Sequence, residues 1–310
     1  MTPDRRVLQE AADWFALFAS ERHSDADHRA WKVWLDEPAH ASAWQKVERI
    51  SGQMRQLQST NATASSQTLR GRTNRRQALK TLAVVMGGGA LTWQAGADRL
   101  WQHWQADAAT GVGQVRQIAL ADGAALWLNS DSAVDLAGPD HIRFLRGEVL
   151  AQAGTHGHLH LDCVAARITL SRHGRCSLRE TDSGALWLTV FAGDAMLRTF
   201  DDRVEHVAAG QTIRFDSNGI SARNAADEAR RAWATGILLA NDRRLGDVLD
   251  DLARYRHGYL GYAPAIAEIR VVGAFPLADT DRVLDALAAT LPVRIHRTLP
   301  WWVTVEAFSA

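Results

Sequence analysis

Few residues in this chain have the types and spacing to do chemistry. In "THGHLHLD", His156, His158 and His160 fall two apart, with His173 nearby in sequence. Alternate residues of a strand share a face, so this spacing could offer imidazoles to Zn or Cu. Histidines alternating on a solvated strand give the same pattern, and that is the reading taken, with no metal and no cofactor expected. Cys163 and Cys176 are the only two cysteines. A bridge across neighbouring strands and a pair of buried thiols both fit their short separation. The sequence contains no phosphate loop, nucleophile elbow or metal-protease motif, so no catalytic residue is assigned and no enzyme is expected.

Arg75 and Arg76 form the other chemically distinctive pair, in "TNRRQALK" just ahead of a long uncharged run. From Thr81 to Ala97 there is no charged side chain, and Lys80 and Asp98 bracket the run. As a helix it would measure ~26 Å against a hydrocarbon core of ~30 Å, short but feasible if Lys80 snorkels and Trp93 sits near the far interface. A soluble core helix would carry a polar face at helical spacing, which Thr81, Thr92 and Gln94 do not make. Arg70, Arg72, Arg75, Arg76 and Lys80 precede the run, and no acid occurs between Glu48 and Asp98. This asymmetry predicts a single transmembrane helix over 81–97 with the N-terminus in the cytoplasm. The arginine pair also resembles a twin-arginine export signal. Gly87-Gly88-Gly89 lies mid-run, either a point where a membrane protease could unwind the helix or part of an ordinary weakly apolar segment.

The bulk composition agrees with a chain of several parts. It has 310 residues, 35 basic and 35 acidic, so no global field recruits nucleic acid. Its 46% hydrophobic content argues against disorder and leaves room for two or three domains. Twelve tryptophans stand against three tyrosines, and their placement matters. Before the run, residues 1–58 read as three amphipathic helices. Val7, Ala11, Trp14 and Phe18 make the first stripe, with Leu8, Ala12 and Phe15 beside it. Ser24-Asp25-Ala26-Asp27 is a capping box opening the second helix, which carries Trp31, Trp34 and Leu35 and stops near Pro38. Ala43, Val47, Ile50, Met54 and Leu57 stripe the third, with Trp44 alongside. "QSTNATASSQT" reads as a flexible tether, placing a linker over 59–80. Below ~70–80 residues a single core is marginal, so Trp14, Phe18, Trp31, Trp34, Leu35 and Trp44 are candidates for a partner-binding face as well as for the core. Acids scattered among the bases argue against DNA binding.

After the run, residues 111–221 alternate short apolar stretches with turn signals such as Asp122-Gly123, Gly147 and Asn218-Gly219, predicting an all-β unit. Residues 233–308 read as strand–helix–strand, then strand–helix–strand–strand, a small α+β module with its first helix opening near Asn241-Asp242.

Together these pieces resemble FecR-like transmembrane anti-sigma regulators over nearly the whole chain. "EAADWFALF" and "WKVWLDEPAHASAWQKVERI" look like their cytoplasmic sigma-binding region. "GQVRQIALADGAALWLNSDSAVDL" and "HIRFLRGEVLAQA" look like their periplasmic domain, where the DG turn, the Asn-Ser pair and the Gly-Glu dipeptide recur. Residues 233–308 look like the short N-terminal module of secretins and TonB-dependent transporters. The resemblance implies an inner-membrane protein with an extracytoplasmic-function sigma factor as cytoplasmic partner. Its periplasmic partner would be the signalling domain of an outer-membrane TonB-dependent transporter, with control of iron and siderophore uptake genes as the output. Regulatory proteases are further implied partners. The alternative is a twin-arginine-exported, membrane-tethered periplasmic binding protein with no sigma factor.

Overall fold

The computed structural model describes residues 4–20, 23–67, 106–181 and 183–308. The run 81–97, with Arg75, Arg76 and Lys80, lies outside the described residues. Among the described residues no helix is long and apolar enough to cross a membrane.

Three helices open the chain: α1 Arg5–Ala19, α2 Asp25–Leu35 and α3 Pro38–Gln67. Each start has a local cause. Asp4 accepts from Arg6 N at α1. At α2 the Ser24 side chain takes the Asp27 amide while Asp27 takes that of Ser24, the reciprocal cap. Pro38 sits at the first helical position of α3, where its missing N–H costs nothing. Val7, Leu8, Ala11 and Ala12 of α1 bury against Ala43 and Val47 of α3. α3 runs on to Gln67, through residues whose composition reads as a tether. No Gly or Pro follows Gly52 there, and extending a helix that packing has already nucleated is far easier than starting one.

The β strands of the central unit are β1 Ala108–Ala109, β2 Arg116–Ala119, β3 Ala125–Leu128, β4 Ala133–Leu136, β5 His141–Arg146, β6 Glu148–Gln152 and β7 Leu159–Asp162. They continue as β8 Ala166–Leu170, β9 Arg175–Glu180, β10 Leu186–Ala192, β11 Asp194–Thr199, β12 Val204–Ala208, β13 Gln211–Asp216 and β14 Gly219–Ala225. Two seven-stranded sheets form, ordered β1-β4-β5-β7-β8-β11-β12 and β14-β13-β10-β9-β6-β3-β2. Inward residues of both sheets make one core, Ile142, Leu161, Ile168 and Leu197 from the first against Leu126, Leu178, Leu188 and Phe215 from the second. Each such side chain contributes roughly 1.5–3 kcal/mol when fully buried. The expected all-β unit is therefore a sandwich, slightly longer at both ends than 111–221.

The chain closes with β15 Ile237–Arg244, α4 Leu245–Ala253, β16 Tyr259–Tyr262, β17 Arg270–Pro276, α5 Thr280–Thr290, β18 Val293–Leu299 and β19 Trp302–Ala307. β15 pairs with β17, and a three-stranded sheet runs β16-β19-β18. Leu245, Val248, Leu249 and Leu252 of α4 share a core with Val283, Leu284 and Leu287 of α5 and with Val303 and Val305 of β19. α4 begins later than Asn241-Asp242, because those two residues instead make a bulge in β15, with Asp242 at φ 55°.

Candidate functional site

Three places bring functional-type side chains together. The first is the aromatic cluster on the N-terminal helices. Phe18 is its hub, stacked on Trp14 at 6.0 Å and on His28 at 4.6 Å, and edge-on to Trp31 at 5.4 Å and Trp44 at 6.2 Å. Trp31 and Trp44 lie 5.0 Å apart. All of these rings except His28, which is exposed, are half-buried. Trp31 Nε1 is buried with no hydrogen-bond partner among the described residues. Trp34 turns to other partners: it stacks on His40 at 4.4 Å and donates to Glu10 Oε2 at 2.9 Å. Leu35, half-buried, ends α2. Beside Trp14, an open groove is lined by Glu10, Asp13 and Leu17. Burial and the nearby Glu10 raise the Asp13 carboxyl above its ordinary value, with Gln9 partly offsetting them.

The second place joins the sandwich to the C-terminal module. Glu148, 4% exposed at the start of β6, pairs with Arg254 and accepts from Asn129 Nδ2 at 2.9 Å. Asn129 Oδ1 in turn accepts from Tyr255 OH at 2.7 Å, and Ser130 Oγ donates to the Arg254 carbonyl at 2.5 Å. Asp251 of α4 lies between Arg179 of β9 at 2.7 Å and Arg243 of β15 at 2.6 Å. Burial pushes the Asp251 carboxyl up, but Arg179, Arg243 and Arg230 outweigh it and hold the group well below the usual carboxylate range. Gly147 lets the start of β6 lie close against the Asp131–Ser132 backbone that leads into β4. At φ +87° its missing Cβ would lie 2.4 Å from Ser132 Oγ. The Asn-Ser pair and the Gly-Glu dipeptide are thus parts of one buried clamp. Sequence reasoning noticed those dipeptides but missed Arg179, Arg243, Asp251, Arg254 and Tyr255. The available signal was a carboxylate heading the apolar strand "GEVLAQA", which required a cation from elsewhere in the fold.

The third place is the outer face of β16-β19. Tyr259 stacks on Trp302 at 4.2 Å, and Trp301 meets Trp302 edge-on at 6.1 Å. This face is covered by α1 and α3.

The sequence-marked chemistry disperses. His156 and His158 precede β7 and only His160 lies within it, so the three do not share a strand face. His156 pairs with Asp122 at 2.6 Å through Nδ1, and His160 Nδ1 meets Thr169 Oγ1 at 3.1 Å. Cys163 and Cys176 are free, buried thiols, one in the β7–β8 connection of the first sheet and one in the second sheet, not neighbours across adjacent strands. Cys163 follows β7 and its Sγ donates to the Ala166 carbonyl at 3.1 Å, whereas Cys176 lies within β9. Burial pushes the Cys176 thiol up to about 12.

By architecture, then, the described residues are a small helical unit, followed by a two-sheet β domain clamped to an α+β module. Residues 106–196 match the family described as FecR protein, within the stretch where the resemblance to that family was read from the sequence. Residues 9–50 match a domain of unknown function (DUF4880). Two crystal structures at 2.50 and 1.65 Å resolution, each of a candidate anti-sigma factor from Parabacteroides distasonis, share the fold. Their TM-scores are 0.50 and 0.51 at 16% identity, over 65% of this chain and 98% and 99% of theirs. No curated protein matches the chain.

Proposed function

We propose that the chain is a single-pass anti-sigma regulator of the inner membrane, its N-terminus cytoplasmic and its C-terminus periplasmic. The aromatic cluster of α1–α3 holds an extracytoplasmic-function sigma factor. The module 233–308, of the short secretin and TonB-transporter type, receives the signalling domain of an outer-membrane TonB-dependent transporter. The output is transcription of iron and siderophore uptake genes. The observation that carries this reading is the order of parts: a FecR domain at 106–196 directly follows the uncharged run 81–97 and its basic flank. The half-buried rings of Trp14, Phe18, Trp31 and Trp44 support the sigma-binding surface, since such aromatics anchor interfaces. A lone spanning helix has no obvious second state for an outside ligand to bias, so proteolytic release of the N-terminal segment is the favoured route of signal transfer.

Co-purification tests it. The segment Met1–Arg72, expressed in a complete host lysate, should retain a sigma factor, and replacing Trp31 and Trp44 by Ala should lose it. A folded segment that captures none would favour the tethered periplasmic binding protein.

A further inference from the structure

The first four residues of β19 are buried on both faces of the strand. Trp302, Val303, Thr304 and Val305 are each at most 2% exposed, although successive side chains of a strand point to opposite sides. Val303 and Val305 are accounted for by the core shared with α4 and α5. Trp302 belongs to a different cluster. With Trp301 it packs on Val7, Leu8, Ala11 and Ala12 of α1 and on Ala43 and Val47 of α3. The match extends beyond apolar contact. Phe15 meets Trp301 edge-on at 5.8 Å, and Lys46 of α3 stands over the Tyr259 ring at 5.6 Å. Gln9 serves two groups of the module at once: its Nε2 donates to Thr298 Oγ1 at 2.8 Å, as it also does to Asp13 Oδ1 at 3.0 Å, and its Oε1 accepts from Trp302 Nε1 at 3.3 Å. A buried indole N–H needs such a partner, and here it comes from the opposite end of the chain.

We propose that the Tyr259–Trp301–Trp302 face of the C-terminal module is a helix-docking surface, and that α1 occupies it until the chain enters the membrane. The proposal rests on the single-span reading. All residues are made on the cytoplasmic side, so α1 and the module share a compartment only before insertion. Crossing the bilayer leaves α1 behind and uncovers two indoles and a phenol ring, the chemistry that anchors protein interfaces. Capped and uncapped forms exclude each other, so the face stays shielded until the module has reached the compartment of its partner.

Cysteine pairs test the contact in the full-length chain. Gln9→Cys with Thr298→Cys should form a disulfide under mild oxidation when the chain is synthesised without membranes. Its yield should exceed that of the decoy Gln9→Cys with His158→Cys by about tenfold or more, because a docked helix holds its thiol at high effective concentration. Lys46→Cys with Tyr259→Cys, joined by a bis-maleimide rather than a disulfide because only the far ends of the two native side chains meet, reports on the same contact should the first pair misfold. Decoy-level yield from both pairs, in chains whose β domain resists protease, overturns the proposal. In intact cells the bridge should fall to the decoy level. An undiminished bridge there, with the chain in the membrane fraction, would overturn the proposed timing and the single-span reading together, whereas loss of sigma-factor capture alone would touch only the function.

Discussion

Glu148 and Arg254 set the most consequential charge pair of the molecule, because Glu148 is 4% exposed and is held from both sides. Neutralising one partner strands the other's charge in a poor solvent, which typically costs about 3–5 kcal/mol. Glu148→Gln should therefore lower the unfolding free energy of the purified chain, measured by urea titration, by that order. Arg254→Gln added to it should recover part of the loss, and strictly additive losses would show that the two do not act as a pair. Asp251 carries the pH dependence. Its folded carboxyl titrates well below an ordinary aspartate, once Arg179 and Arg243 have outweighed burial. A depressed carboxyl contributes stability that is complete above the unfolded value of about 3.9 and is lost as pH falls below it. Unfolding midpoints should accordingly drop as pH falls from about 4 to about 2, by less in Asp251→Asn, and an equal slope in both would remove the assignment. The thiols offer a simpler check. Buried Cys163 and Cys176 should resist a maleimide in the native chain, and both should react after denaturation without reductant. Finding neither reactive in the denatured chain would mean that they are bridged.

At the scale of elements, Gly147 shows how one backbone position fixes the corner where the chain passes between the two sheets. Its φ of +87° is left-handed, and an added Cβ would fall 2.4 Å from Ser132 Oγ and 2.7 Å from Ser132 Cα. Gly147→Ala should thus cost about 2 kcal/mol or more, from the disfavoured backbone plus the forced shift of Ser132, seen as a lowered thermal midpoint. Turn residues of this kind made the β domain legible in the sequence. Gly147, Gly193, Gly210 and Gly219, all at positive φ, punctuate the chain between strands: the first three where it crosses from one sheet to the other, the last in the β13–β14 hairpin. Strand order was not legible, since the parallel pairing of β5 with β7 joins segments that no local pattern relates. The end of α3 was misread for a related reason: small polar residues favour a tether only when nothing upstream has nucleated a helix. The "WW" of residues 301–302 read simply as the start of a strand. That both rings needed cover follows from strand alternation, but what covers them is set by the N-terminal helices, hundreds of positions away.

For the whole molecule, two facts must coexist. The sandwich and the C-terminal module are bound through buried ion pairs, from Glu148 to Arg254 and from Arg179 to Asp251, so a force applied to either reaches the other without a loose joint. The helices of residues 5–67 touch that body through β18 and β19, a contact that a bilayer between them would forbid. Compartment labelling decides how the chain resolves this in cells. Arg49 on α3 and His158 in the sandwich are both exposed, so cysteine at either site should be reactive without disturbing a core. With a membrane-impermeant maleimide, His158→Cys should be modified in cells whose outer membrane alone is permeabilised, and Arg49→Cys only after lysis. Modification of both before lysis, or of neither, would put the two ends in one compartment. The run 81–97 would then be no barrier between them, and the helices could remain on Trp302 throughout the life of the protein.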